Sequence, residues 1–219
     1  MKMAIITGAS DGLGLELAKL LLKKNYEVVG ISRNKPSLAG IKFIKADFTK
    51  DGDIRKVITT IKKDFPDFDF LINCAGIMSV RSIDDLNYTE VENLFRVNVF
   101  SQMMLVSGLM DNIKKNGADI VNVCSTVGFK AYENQLAYGS SKWAVRGINE
   151  NLRLELKGTK SRVIGFSPGG FKSRIFEKAT GIKPKLDAYM EPAELAKLIV
   201  QLLELPKNME VSDIIINRK

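Results

Sequence analysis

Tyr138 and Lys142 lie four residues apart in Leu136–Leu156, a stretch whose apolar positions recur with helical spacing. Side chains at positions i and i+4 of a helix lie on one face, one turn apart. A tyrosine with its ordinary pKa of ~10 is a poor acid–base catalyst, but a neighbouring ammonium favours the phenolate and lowers that pKa. The pair therefore indicates proton-transfer chemistry, although the same spacing also arises by chance in many surface helices.

The residue composition excludes several other catalytic mechanisms. The chain of 219 residues contains no histidine, which excludes Ser-His-Asp and Cys-His catalysis and any histidine-based metal site. Its two cysteines, Cys74 and Cys124, are far apart in the sequence, so neither a zinc cage nor a disulfide framework is expected. We expect no metal in the site.

A glycine-rich stretch lies between the first predicted strand and the first predicted helix. Its residues are Thr7, Gly8, Ala9, Ser10, Asp11, Gly12, Leu13 and Gly14. Glycines at such a junction allow a tight turn, and they let backbone N–H groups approach a pyrophosphate at the positive end of the helix. The spacing Gly-x3-Gly-x-Gly differs from the commoner Gly-x-Gly-x2-Gly, and a plain glycine-rich turn is the alternative interpretation.

Short apolar runs alternate with longer segments of helical periodicity along the whole chain. The predicted strands are Met3–Thr7, Tyr26–Ser32, Lys42–Ala46, Phe70–Asn73, Ile120–Cys124, Arg162–Ser167 and Glu210–Ile216. The predicted helices are Leu13–Lys24, Ile54–Asp64, Thr89–Lys115, Leu136–Leu156 and Ala193–Glu204. This order predicts a single α/β domain over residues 1–219, a doubly wound parallel sheet with helices on both faces. The segment Phe171–Tyr189 has weak periodicity, and we expect a mobile loop there.

Three features resemble landmarks of the short-chain dehydrogenase/reductase family, which has a Rossmann-type fold. They are the motif Thr7–Gly14, the Tyr138-x3-Lys142 pair, and Ser125, which stands thirteen residues before Tyr138. The resemblance covers essentially the whole chain and implies a catalytic group of Asn98, Ser125, Tyr138 and Lys142. It makes Tyr138 the general acid/base, lets Ser125 hold the substrate oxygen, and gives Lys142 a second role on the nicotinamide ribose. The backbone carbonyl of Asn98 is then expected to carry a water of the proton relay.

The end of the second predicted strand bears on the choice of cofactor. An acidic residue there would bind the ribose hydroxyls of NAD(H), whereas this chain has Ser32 followed by Arg33, whose guanidinium suits a 2′-phosphate. The resemblance therefore implies NADP(H), preferred over NAD(H). One departure bears against this preference, because NADP-preferring members often carry a second basic residue where this chain has Asp11. A solvated loop arginine is the alternative interpretation of Arg33.

Further landmarks of the family follow the third, fourth and sixth predicted strands. Asp47-Phe48 matches the pair beside the adenine, and Asn73–Gly76 resembles Asn-Asn-Ala-Gly, whose leading asparagine braces the sheet. Pro168–Ser173 resembles the segment beside the nicotinamide carboxamide. The cofactor-binding residues that the resemblance implies are Gly8, Ser10, Asp11, Gly12, Leu13, Gly14, Ser32, Arg33, Asp47, Phe48, Asn73, Ala75, Gly76, Tyr138, Lys142, Pro168, Gly169, Phe171 and Ser173.

The resemblance implies a carbonyl reductase/alcohol dehydrogenase that transfers hydride between NADPH and a small or medium carbonyl substrate. Specificity is expected in Ser79–Thr89 and in a substrate loop at about residues 171–190. A homodimer or homotetramer through the helices Thr89–Lys115 and Leu136–Leu156 is also implied. A non-catalytic NADPH-binding sensor or scaffold of the same fold is the alternative, although such proteins usually lose a catalytic residue and this chain has all four.

The net charge of +8 raises nucleic-acid binding as a further alternative. Three lysine pairs, however, end predicted helices, where cations complement the helix dipole, and no aromatic residues interleave with them. We therefore expect no nucleic-acid partner. Because no segment has the length of a membrane span and the amino terminus does not read as a signal peptide, we also expect no membrane partner and a cytoplasmic location.

Overall fold

The computed structural model describes residues 1–219 and contains one sheet of seven parallel strands. The strands are β1 (Met3–Thr7), β2 (Glu27–Ser32), β3 (Lys42–Lys45), β4 (Phe70–Asn73), β5 (Asp119–Val123), β6 (Val163–Pro168) and β7 (Asp213–Ile216). Their order across the sheet is β3-β2-β1-β4-β5-β6-β7, with every neighbouring pair parallel. Strands β2 and β3 are added on one side of β1 and strands β4 to β7 on the other, and this switch in strand order creates the crevice expected of a doubly wound sheet.

Seven helices cover the two faces of this sheet. They are α1 (Gly12–Lys23), α2 (Asp51–Asp64), α3 (Tyr88–Phe95), α4 (Ser101–Asn116), α5 (Leu136–Glu155), α6 (Ile175–Thr180) and α7 (Pro192–Glu204). Apolar side chains of α2 and α4 pack on one face, and those of α1 and α7 pack on the other. Successive side chains of β1 point to opposite faces of the sheet, as in any strand. Ile5 therefore belongs to the hydrophobic core on one face and Ile6 to the core on the other. The predicted fold class is confirmed.

The long predicted helix Thr89–Lys115 is interrupted. Five residues, Arg96–Phe100, form a π-helical turn between α3 and α4. Such turns insert an extra residue into a helix and often occur at functional sites. This turn contains Asn98, whose side chain is fully buried there.

The segment Phe171–Tyr189, where a mobile loop is expected, contains regular structure. It contains the short helix α6, which ends at Gly181 with a left-handed φ of 72°. A backbone bridge also pairs Phe171 with Met190, so both ends of the segment are fixed to each other. The sequence gives no sign of the helix Ile175–Thr180, because six helical positions are too few for a recognisable periodicity.

The lysine pairs lie where the sequence places them. Lys23 occupies the last turn of α1, Lys62 and Lys63 that of α2, and Lys114 and Lys115 that of α4. Their charges complement the carbonyl ends of these helices. None of the helices combines the length and apolar character needed to span a bilayer.

Candidate active site

The predicted site residues converge at the carboxyl edge of the sheet. The glycine-rich turn follows β1, residues 74–76 follow β4, Ser125 follows β5 and Gly169 follows β6. Because β1, β4, β5 and β6 are consecutive in the sheet, these four segments are neighbours in space. This is the edge at which open α/β sheets bind ligands.

Helix α5 brings Tyr138 and Lys142 together at this edge. Both side chains are buried, and the Lys142 Nζ lies 5.9 Å from the centroid of the Tyr138 ring. The ammonium also donates to the backbone carbonyl of Val123, at 3.1 Å, which ties it to the end of β5. The half-buried Ser125 comes two residues after Val123 and caps a single 3₁₀ turn, Thr126–Gly128.

Burial governs the protonation of this pair. Burial raises the pKa of Tyr138 to about 12, although a side-chain hydrogen bond with Ser125 acts in the lowering direction. Burial also lowers the pKa of Lys142, since it disfavours the charged form of either group. The expected net lowering of the Tyr138 pKa by Lys142 is therefore wrong in this structure, where desolvation of the phenolate outweighs any attraction to the ammonium.

Asn98 connects the π-helical turn to two other parts of the site. Its Oδ1 accepts from the N–H of Ile77 and its Nδ2 donates to the carbonyl of Ile77, both at 2.9 Å. The same Nδ2 donates to the hydroxyl of Ser141 at 3.0 Å, and Ser141 in turn donates to the carbonyl of Tyr138 at 2.7 Å. Sequence reasoning missed Ser141, and only its place within the Tyr-x3-Lys spacing could have drawn attention to it.

The glycine-rich turn fits tightly against the end of β4. Gly8 has a φ of 71°, and a Cβ there would lie 2.8 Å from the backbone nitrogen of Ala75. A Cβ on Gly14 would lie 2.5 Å from the carbonyl oxygen of Gly8. Only glycine is compatible with these two approaches, since real Cβ atoms do not come so close to backbone. Leu13, by contrast, directs its side chain into the core, which leaves its backbone N–H as the group that faces the turn.

The other predicted cofactor residues around this turn lie at the same edge. Asp11 caps α1, where its Oδ1 accepts from the N–H of Gly12 at 2.9 Å, and Ser10 precedes it, partly exposed. Phe171 and Ser173 lie above the turn, since a Cβ on Gly12 would be 3.6 Å from the Ser173 Cβ and 3.9 Å from the Phe171 ring. The buried Pro168 ends β6 and carries the chain to Gly169, whose N–H donates to the carbonyl of Ile216 at 2.7 Å.

A nicotinamide dinucleotide fits the cradle formed by these segments. A Cβ on Gly76 would lie 3.5 Å from the Asn98 Oδ1 and 3.7 Å from the Lys142 Nζ. Glycine at this position therefore leaves the space beside the Lys142 ammonium free. At the other end, the first-turn N–H groups of Leu13 and Gly14 have no acceptor within α1 and are available to a phosphate. The donors thus suit a ribose at one end and a pyrophosphate at the other.

The ends of β2 and β3 lie further along the same edge. Ser32 is buried and donates to the carbonyl of Asn34 at 2.8 Å, whereas Arg33 is exposed. Burial would raise the pKa of the Asp47 carboxyl, but hydrogen bonds from Thr49 and the nearby positive charge of Arg33 hold it below its usual range. The side chain of Phe48 is part of the hydrophobic core, so only its backbone can lie beside an adenine.

Asn73 braces the sheet rather than facing a ligand. It is fully buried, and its Nδ2 donates to the Oδ1 of Asn122 on β5 at 2.8 Å. Asn122 donates in turn to the Oδ1 of Asn149 on α5 at 2.7 Å. This chain of amides joins β4, β5 and the helix that carries Tyr138. Sequence reasoning missed Asn122 and Asn149, which lie in a buried strand and a helix without a motif to mark them.

The two cysteines are free, and neither belongs to a metal site. Burial raises the pKa of the Cys74 thiol to about 12 and also raises that of Cys124. Both are therefore neutral thiols near neutral pH, and as such they are poor nucleophiles. The structure contains no cluster of three His, Cys, Asp or Glu side chains that could hold a metal ion.

Two solved dehydrogenase structures have the same fold as this chain. An alcohol dehydrogenase from the archaeon Thermococcus sibiricus, complexed with 5-hydroxy-NADP, matches with a TM-score of 0.88 at 23% identity, covering 99% of this chain and 96% of that one. A 4-hydroxyisoleucine dehydrogenase complexed with NADH matches with a TM-score of 0.88 at 22% identity, covering 100% and 98% of the two chains. At these identities the likeness shows the fold alone.

Comparison of sequences identifies the family. An oxidoreductase of Staphylococcus aureus whose function is uncharacterized is 27% identical over 223 residues, which cover 97% of this chain and 95% of that protein. Residues 2–181 match the family described as short chain dehydrogenase, which is most of the chain. The protein with the site described above therefore belongs to the short chain dehydrogenase family of oxidoreductases.

Proposed function

We propose that the protein is an NADPH-dependent carbonyl reductase and alcohol dehydrogenase in which Tyr138 is the general acid and base. One observation carries the proposal: the buried phenol of Tyr138 lies beside the buried ammonium of Lys142, and glycine at position 76 leaves space next to that ammonium. This set of groups can hold a carbonyl oxygen and give it a proton without histidine or metal.

The side chains divide the work of the reaction. The nicotinamide supplies the hydride when bound. Ser125 donates a hydrogen bond that orients the substrate oxygen, and the Tyr138 hydroxyl gives its proton to the alkoxide that develops there. The Lys142 ammonium, anchored on Val123, retains N–H bonds for the cofactor ribose. The Asn98 carbonyl, in our proposal, holds a water through which Tyr138 recovers its proton.

The preference for NADPH rests on the end of β2. Ser32 and Arg33 occupy the position at which an acidic residue would favour NADH. The side chain of Arg33 is exposed and can form hydrogen bonds with a 2′-phosphate. The fold alone does not determine which of the two cofactors binds, because one similar structure is complexed with 5-hydroxy-NADP and another with NADH. Cofactor choice in this chain is therefore attributed to individual residues.

The substrate in this proposal is a small or medium carbonyl compound. The segments Ser79–Thr89 and Phe171–Tyr189 flank the site and form its variable walls. The similar alcohol dehydrogenase supports this substrate class by its name. Localisation in the cytoplasm stays a prediction, in keeping with two free cysteines.

We also propose a homodimer or homotetramer assembled through α4 and α5. The exposed large apolar side chains include Phe100 at the end of the π-helical turn, Met103 and Met104 in the first turn of α4, and Leu136 and Trp143 on α5. Apolar surface of this kind typically marks an interface between subunits. Sedimentation velocity of the wild type and a Met103→Lys/Trp143→Glu variant tests this, since the variant is expected to dissociate into monomers.

The test of the function is NADPH oxidation by the purified protein with a panel of ketones, aldehydes, quinones and 3-oxoacyl thioesters. Tyr138→Phe is expected to lower kcat by at least about a hundredfold, because a general acid contributes 10²–10⁴. Tyr88→Phe, at an exposed tyrosine, is the matched control. Turnover that survives in Tyr138→Phe would overturn the mechanism. NADPH binding without turnover of any compound would instead favour a sensor or scaffold.

A further inference from the structure

Asp11 makes a set of ion pairs that the proposed mechanism does not use. Its Oδ2 accepts from Arg174, with Nε at 3.0 Å and Nη2 at 2.9 Å, and from the Nζ of Lys178 at 2.7 Å. Arg174 directly precedes α6 and Lys178 lies one turn further along it. The glycine-rich turn and the substrate loop, 163 residues apart in the sequence, are thus joined at one carboxylate.

These ion pairs connect α6 to the start of α1. No residue of α6 is fully buried, and a cavity of about 430 Å³ lies between its segment and the start of α1. Glu177, the acidic residue of α6, lines the same cavity but is not a partner of Asp11. The ion pairs with Asp11 therefore link a partly exposed helix to the glycine-rich turn.

The charges of the cluster do not cancel. One carboxylate meets two cations, so the cluster formed by Asp11, Arg174 and Lys178 carries a net positive charge. Burial would raise the pKa of the Asp11 carboxyl, but the hydrogen bonds from Lys178 and Arg174 outweigh it and hold that pKa below its ordinary value. The carboxylate is thus ionised at neutral pH and fully compensated by its partners.

Asp11 stands at a position where an uncompensated anion would oppose the binding of a phosphorylated cofactor. It caps the amino terminus of α1, where a pyrophosphate is expected, and β1 pairs with β2, whose end carries Arg33. A free carboxylate there repels phosphate, and it repels NADPH more than NADH because the 2′-phosphate adds negative charge. A basic residue at this position would have the opposite effect.

We propose that Arg174 and Lys178 determine the phosphate selectivity of the cofactor site by neutralising Asp11. The two cations of the substrate loop take the place of the basic residue that the glycine-rich turn lacks, and cofactor preference thereby depends on the loop. This inference rests on the proposed use of NADPH. Neither cation needs to touch the cofactor, so both are positioning residues that act through Asp11.

The test is a double-mutant cycle read by cofactor binding, with dissociation constants for NADPH and NADH measured by fluorescence titration. Arg174→Gln/Lys178→Gln is expected to raise the Kd for NADPH about tenfold and that for NADH less than about threefold, since the repulsion grows with the charge of the ligand. In the Asp11→Asn background the same double substitution is expected to change the NADPH:NADH ratio of Kd values less than about twofold. Thermal melting verifies that each variant is folded.

A charge-matched control separates this effect from the general loss of positive charge. Lys183→Gln/Lys185→Gln removes two cations from the same segment but leaves the Asp11 ion pairs intact, and it is expected to leave the ratio unchanged. An unchanged ratio in Arg174→Gln/Lys178→Gln would overturn the proposal. An equally large effect in the Asp11→Asn background would also overturn it, because the cations would then act on the phosphate directly. Failure of the wild type to bind NADPH would instead refute the proposed function.

Discussion

The side-chain amide of Asn98 donates to the hydroxyl of Ser141 over 3.0 Å, which joins the π-helical turn to the helix that carries Tyr138. Ser141 is fully buried, and its own proton goes to the carbonyl of Tyr138. One hydroxyl thus serves as both acceptor and donor within the catalytic group. The Ser141 hydroxyl therefore fixes the position of Asn98 relative to α5.

Ser141→Ala removes this connection and leaves the Asn98 amide with its Ile77 partner alone. Loss of a buried hydrogen-bond partner is expected to lower the free energy of unfolding by about 1–3 kcal/mol. We expect kcat to fall about tenfold because catalytic groups must be held to within a fraction of an ångström. Steady-state kinetics and urea unfolding measure both effects. The exposed Ser140→Ala is the control, and an unchanged kcat in Ser141→Ala would contradict the positioning role.

Asp119→Asn is expected to destabilise the fold without touching the chemistry. Asp119 is fully buried at the start of β5, opposite the site, where it accepts from the Arg162 Nη2 at 2.7 Å and the Lys207 Nζ at 2.6 Å. Removing its charge leaves a buried guanidinium uncompensated, which costs about 3–5 kcal/mol. Chemical denaturation measures the loss, with Asp67→Asn, from an exposed ion pair, as the control. A loss below about 1 kcal/mol would mean that water reaches Arg162.

Lys142→Met is expected to abolish activity and yet to stabilise the protein at neutral pH by about 1 kcal/mol, since active-site charges are commonly kept at a cost to stability. Burial lowers the pKa of Lys142, so the folded protein bears the cost of a desolvated ammonium at every pH below the folded pKa. That cost shrinks as pH rises from the folded pKa towards the unfolded value of ~10.5, and the advantage of the methionine variant should shrink with it. Urea unfolding at neutral and at alkaline pH measures this, with Lys63→Met as the exposed control. If the methionine variant were instead less stable than the wild type at neutral pH, the stabilisation from the hydrogen bond between Lys142 and Val123 would exceed the cost of desolvating the ammonium.

The two reaction directions are expected to differ in their pH dependence. Because burial raises the pKa of Tyr138 to about 12, the phenol is protonated across the neutral range and reduction should be independent of pH. Oxidation of the alcohol needs the phenolate, so its kcat should rise about tenfold per pH unit while the pH stays below that pKa. Profiles of kcat in both directions measure this. An oxidation rate that levels off near neutral pH would show that the complex lowers the pKa of Tyr138 far below its value here.

The parallel sheet could be predicted almost completely from the sequence. Strands covered on both faces are near-continuous apolar runs, and β1 and β4 have the bounds that these runs predict. The glycine spacing and the Tyr138–Lys142 spacing also located the site, because glycine at a positive φ and side chains one helical turn apart leave local signals. The short helix α6 left none because six positions are too few for a periodic pattern, and its contact with Asp11 joins residues that are distant in sequence.

The electrostatics of the site could not be predicted from the residue types. The proximity of Lys142 to Tyr138 suggested a lowered pKa for the phenol, but the degree of burial decides the sign, and burial depends on the whole fold. The same holds for Asp119, whose charge gives no indication in the sequence that it lies fully inside the protein. Local patterns identify which groups meet, whereas the surrounding packing decides their protonation.

The position of β1 in the middle of the sheet has a consequence for synthesis on the ribosome. Once Asn73 has emerged, β1 can pair with both β2 and β4, and the first four strands can assemble with α1 and α2. The apolar face of α1, however, packs against α7, which ends only at Glu204. A nascent chain therefore exposes the side of α1 that packs against α7 until Glu204 has emerged, which makes this helix the expected point of chaperone contact and of aggregation when translation stalls.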